Sequence, residues 1–91
     1  MQTLTMLKLA EIIENITSHP HVLCASAGCY NKRQSDNAFI EVTLISDVLF
    51  KHAYDHIMRN IPKENVEDCV IRVIGDRMRI CINLKSVNFS K

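Results

Sequence analysis

Gly75-Asp76 separates two alternating apolar runs, residues 69–74 and 77–85, and this arrangement constrains the fold more than any other stretch. A two-residue type II′ turn needs positive φ at its first position, which glycine adopts without steric cost. Closing the hairpin there sets Ile74 opposite Arg77, Val73 opposite Met78 and Arg72 opposite Arg79. Directly opposed residues share a face. One surface is then Cys69, Ile71, Val73, Met78, Ile80, Ile82 and Leu84, which is expected to lie under helices. The other carries Val70, Arg72, Ile74, Arg77, Arg79, Cys81, Asn83 and Lys85.

Two arginines side by side are unfavourable unless something negative lies between them. Glu41 or a solvent anion would offset the charge. A protein partner would also suit a surface that mixes arginine with aliphatic residues. A third reading is nucleic acid, with Arg72, Arg79 and Lys85 on phosphates, extended by Lys32 and Arg33, and with Phe39 or Tyr30 stacking on bases.

Upstream, Met6, Leu9, Ile12, Ile13 and Ile16 recur at steps of three and four and predict a helix over 4–17. Thr3 or Thr5 can cap it, and Pro20 stops it. A first hairpin follows. Residues 22–30 form a strand whose small members, Ala25, Ser26, Ala27 and Gly28, suggest a helix packed close above. Residues 31–37 form a polar turn, and 38–45 the return strand. There Ile40, Val42 and Leu44 point one way and Phe39, Glu41 and Thr43 the other. Ser46-Asp47 is expected to cap a second helix over 48–60, burying Leu49, Phe50, Ala53, Tyr54, Ile57 and Ile61. Residues 63–68 read as a polar connector with one helical turn. The tail, 86–91, is expected to fray unless Val87 and Phe89 dock.

The element order is α-β-β-α-β-β. We expect an α+β fold, with two helices on one face of a four-stranded, mainly antiparallel sheet, and a single domain over 1–91. Ninety-one residues match one core, and two glycines with two prolines leave little of the chain for loops. Element order by itself names no function.

Net charge is +1, from eleven basic and ten acidic residues, so no general attraction to polyanions or membranes is expected. The start, Met1-Gln2-Thr3-Leu4 with Lys8, Glu11 and Glu14 close behind, lacks an export signal's pattern. A soluble, cytoplasmic chain with reduced cysteines is expected. The four cysteines include no CxxC pair. Cys24 and Cys29, five positions apart on a strand, project to opposite faces, so they neither bridge nor join His52 and His56 on one zinc ion. Cys69 and Cys81 are likewise assigned to opposite faces. His19 and His21 flank Pro20 and read as surface residues. A small hydrolase or transferase centred on His52, Asp55 and His56 is the least favoured class, because no nucleophile is expected near these imidazoles.

The expectation is therefore a non-enzymatic protein-interaction or regulatory module, without cofactor or metal, acting through the open sheet face and sheet edges. A protein partner and homodimerisation are expected, with partner contacts at Arg72, Ile74, Arg77, Arg79, Cys81 and Phe39. The alternative is an RNA- or DNA-binding protein using Lys32, Arg33, Arg72, Arg79 and Lys85.

Overall fold

A computed structural model describes residues 3–29, 38–46 and 49–88. The fold is α+β, and its main sheet has four antiparallel strands in the order β2-β3-β5-β4. Strand β1 (Leu4–Thr5) leads directly into helix α1 (Met6–Thr17), followed by β2 (Val22–Cys29) and β3 (Ala38–Leu44). Helix α2 (Phe50–Arg59) and a 3-10 turn (Lys63–Asn65) precede β4 (Val66–Ile74), β5 (Arg77–Leu84) and β6 (Val87–Asn88).

Helix α1 begins where Thr5 Oγ1 accepts the Lys8 amide at 3.1 Å, one of the two caps expected from sequence. Leu9, Ile12 and Ile16 of its apolar stripe are buried, and the helix packs over β2. Met6, assigned to the same stripe, is exposed instead, while Leu4 of the preceding strand is fully buried. On β3 the alternation holds throughout: Ala38, Ile40, Val42 and Leu44 are buried, while Phe39, Glu41 and Thr43 are only partly covered. These residues, with Ile80, Ile82 and Leu84 from β5 and Ala53 and Ile57 from α2, belong to one core. Both helices therefore cover the same face of the sheet.

The second helix starts later than expected. Its N-cap is Leu49, in left-handed geometry at φ 59°, and no side chain caps it. Leu49 is exposed rather than buried, because that backbone turn directs it off the helix's apolar stripe. Asp47, half of the expected capping pair, and Val48, the expected first helical residue, lie outside the described residues. The 31–37 turn, Tyr30 and Phe89 also lie outside them.

Two further corrections concern the chain's last third. Strand β4 begins at Val66, not Cys69, with a register shift between Val66 and Asp68. Glu67 is the extra residue there, a bulge on β4 that locally bends the strand. Nor does the tail fray through Asn88. Ser86 adopts φ 60°, turning the chain so that Val87 pairs with Leu4 in a two-stranded parallel sheet. The Leu4 amide donates to the Ser86 carbonyl at 2.8 Å, and Val87 is buried. Buried Asn65 secures the approach to this turn: its side-chain amide donates to the Lys85 carbonyl, and its backbone carbonyl accepts the Lys85 amide.

Candidate functional site: the open sheet face and the β4–β5 arm

The second hairpin closes at Gly75-Asp76 in the expected register, with Ile74 opposite Arg77, Val73 opposite Met78 and Arg72 opposite Arg79. Gly75 has φ +63° and Asp76 is not left-handed, as a type II′ turn requires. Strand pairing then fixes the uncovered face. Cys24, Ser26 and Gly28 on β2 neighbour Thr43, Glu41 and Phe39 on β3. These neighbour Arg79, Cys81 and Asn83 on β5, which in turn meet Arg72, Val70 and Asp68 on β4.

This face carries charges of both signs, with Glu41 and Asp68 among the arginines. Glu41 Oε1 lies 3.7 Å from Arg79 Nε, so the expected local offset of one arginine is present. Both partners are well exposed, and such a pair contributes little to stability. Asn83 donates its amide to the Asp68 carboxylate. Arg72, Arg79, Cys81, Val70, Glu41 and Asn83 line a shallow depression of about 220 Å³. A phosphate backbone would meet two carboxylates, Glu41 and Asp68, among these cations.

Of the residues singled out from sequence, Arg72, Arg79 and Cys81 therefore come together. Ile74 and Arg77 sit nearer the turn, lining a second depression with Leu23, Cys24, Thr43 and Arg79. Phe39 is on the same face but at the opposite end, its ring over Gly28; a Cβ on Gly28 would come within 2.8 Å of the ring. Lys85 is exposed just past β5. Lys32 and Arg33 lie outside the described residues.

The helix-side surface of the hairpin is where the sequence expectation fails. Ile80, Ile82 and Leu84 are buried as expected, but Ile71 and Val73 are 43% and 69% exposed. A ten-residue α2 is about 15 Å long, whereas nine-residue β4 spans about 30 Å. The helix covers β4 near the strand's start, where Tyr54 of α2 and Cys69 of β4 both pack against the core. Beyond Cys69 the edge strand leaves the helix layer. Val70 and Ile74, on the other side of the same strand, are 42% and 50% exposed. The arm thus presents aliphatic side chains on both faces of an edge.

The histidines form a second cluster, not foreseen from sequence. His19, expected at the surface, is buried. Its Nε2 lies 3.1 Å from His52 Nδ1, and its Nδ1 accepts the His21 amide at 3.1 Å. That amide fixes the tautomer: neutral His19 carries its proton on Nε2 and donates it to His52. His56 lies against His19 with ring centroids 5.0 Å apart, and its Nε2 donates to the Asn15 carbonyl at the end of α1. Burial first, then the neighbouring His56, His52 and His21, hold the His19 pKa below its ordinary value. The cluster ties the turn after α1 to α2. Two imidazoles of the proposed catalytic trio are thereby engaged in these structural bonds. A 33-residue separation hides the His19–His52 pair from any local pattern.

Among the described residues no group of three or more His, Cys, Asp or Glu side chains is arranged to hold a metal ion. Cys24 pairs on the open face opposite Thr43, and Cys29 on the helix side opposite Ala38, as strand parity implied. Cys69 faces Ile82 on the helix side and Cys81 faces Glu41 on the other. Burial, followed by neighbouring Cys81 and Asp68, raises the Cys69 pKa, which keeps it a thiol rather than a nucleophile. No helix among the described residues is long and apolar enough to cross a membrane. In comparisons with known protein families, curated proteins and solved structures, nothing matches this chain.

Proposed function

We propose that the chain is a non-enzymatic protein-interaction module whose working surface is the β4–β5 arm, its open edge and the adjoining sheet face. The observation that carries this reading is the run of aliphatic residues on the arm, Val70, Ile71, Val73 and Ile74, each between 42% and 69% exposed on a nine-residue edge strand. An edge of that length with no proline and alternating aliphatic side chains is a template for pairing with another chain. Arg72, Arg77 and Arg79 beside it supply orientation and selectivity more than affinity. A reducing, cytoplasmic setting suits four cysteines that strand parity keeps on opposite faces within each hairpin. The mixed-sign face supports protein recognition over nucleic acid, since Glu41 and Asp68 lie among its cations.

Capture from an extract of the native cell, with and without nuclease, tests this reading. The purified chain is expected to retain a protein partner, nuclease treatment to leave that partner bound, and Val73→Lys to release it. Equal capture by Val73→Lys, or loss of the partner on nuclease treatment, contradicts it.

A further inference from the structure

The charges along β4 specify what can pair with it. Asp68 and Arg72 are four residues apart on one edge and on one face, with Val70 midway between them. In an antiparallel pair related by a two-fold axis through Val70, residue 68 stands opposite residue 72 of the second strand. Each Arg72 then meets the other copy's Asp68, and the two Val70 side chains meet on the axis. On the helix side, Ile71 meets the other copy's Cys69. An axis through Arg72 would instead oppose two arginines, and one through Ile71 would set Asp68 against Ile74. The strand is thus complementary to itself in one register.

The backbone permits that register. In a two-residue hairpin, the pair flanking the turn, Ile74 and Arg77, exchanges both its hydrogen bonds, and bonded and non-bonded pairs alternate from there. Residues 69, 71 and 73 consequently turn their N–H and C=O groups outward, to the edge. About Val70, residue 69 of each copy meets residue 71 of the other as a hydrogen-bonded pair. The bulge between Val66 and Asp68 lies outside this segment.

Arg72 has its own reason to seek a carboxylate. It stands beside Arg79 on the open face, and Glu41 is positioned against Arg79 from the far side of β5. The Asp68 of a second copy would supply the negative charge at Arg72.

Resting on the interaction reading above, we infer that the partner of the β4 edge is a second copy of this chain, joined antiparallel about Val70 with reciprocal Arg72–Asp68 pairs. Isologous two-fold pairing is the commonest closed assembly, and here it joins two four-stranded sheets into one of eight strands.

The experiment is charge reversal read by sedimentation equilibrium, from low to high micromolar 91-residue chain, with far-UV circular dichroism as the fold control. The wild-type chain is expected to dimerise. Asp68→Arg alone and Arg72→Asp alone should each weaken dimerisation by about tenfold or more, since each places like charges in register. Mixing the two single variants should restore a heterodimer, and the double variant should dimerise with itself. A wild-type chain monomeric throughout overturns the proposal, as do single variants that dimerise like wild type. A folded mixture that stays monomeric also overturns it. Should a single variant lose its fold, the double variant decides: dimer supports the pairing and monomer contradicts it. A monomeric wild type that still captures a partner through Val73 would retire only the second copy, leaving the interaction reading in place.

Discussion

With the His21 amide on Nδ1 and its only proton given to His52, His19 has no acceptor for a second proton. Its pKa is lowered from the ordinary 6.5, first by burial and then by His56, His52 and His21. The sign of the pH effect follows. Above pH 6.5 both folded and unfolded chains hold neutral His19, and its contribution is constant. Below that value the unfolded chain takes up a proton that the folded chain refuses, so stability falls until the lowered folded pKa is passed. Thermal unfolding followed by circular dichroism should show a melting temperature that declines as pH falls through this window. His19→Asn keeps an acceptor near the His21 amide but removes the titrating ring. It should melt lower than wild type at neutral pH and show a shallower decline. Identical slopes for the two proteins would contradict the assignment. None of this was legible in the sequence: His19 and His21 flank a proline and resemble solvent-facing turn residues, and their partners are on a helix formed three dozen positions later.

At the scale of elements, what periodicity could reveal and what it could not are both visible in the last hairpin. The turn at Gly75-Asp76, the parity of β5 and the pairing of Arg72 with Arg79 all followed from local geometry. So did the two faces of β3, where alternate residues are buried. Alternation says which residues share a face, not whether anything covers it. Ile71 and Val73 have the same parity as Ile80 and Ile82 but lie beyond the reach of α2. Likewise, the docking of Val87 depends on Leu4, at the far end of the sequence, and on a left-handed Ser86 that no residue preference announces. The energetic consequence separates arm from core. Ile80→Ala removes fully buried methyl groups and should destabilise the fold by about 2–5 kcal/mol. Val73→Lys, on a strand already open to solvent, should change monomer stability by no more than about 0.5 kcal/mol. Chemical denaturation of both variants checks this contrast. A Val73→Lys cost comparable to that of Ile80→Ala would mean that the arm is part of the folded core.

At the scale of the whole molecule, the proposed interaction depends on where the β4 edge lies in the sheet. The strand order puts β2 and β4 at the two margins of the sheet, and β4 carries the aliphatic residues. The candidate face was legible from sequence as a basic surface and open sheet edges were expected, but which strands form those edges was not legible, because strand order depends on long-range pairing. Hydrogen–deuterium exchange along β4, measured at low and high protein concentration, reads the edge directly. The amides of Val70 and Arg72, turned inward to β5, should exchange slowly at both concentrations. Those of Cys69 and Ile71, turned outward, should exchange quickly in dilute solution and become protected as concentration rises. Outward amides that exchange at the same rate at every concentration would contradict self-pairing. Slow outward amides beside fast inward ones would contradict the register on which it is built.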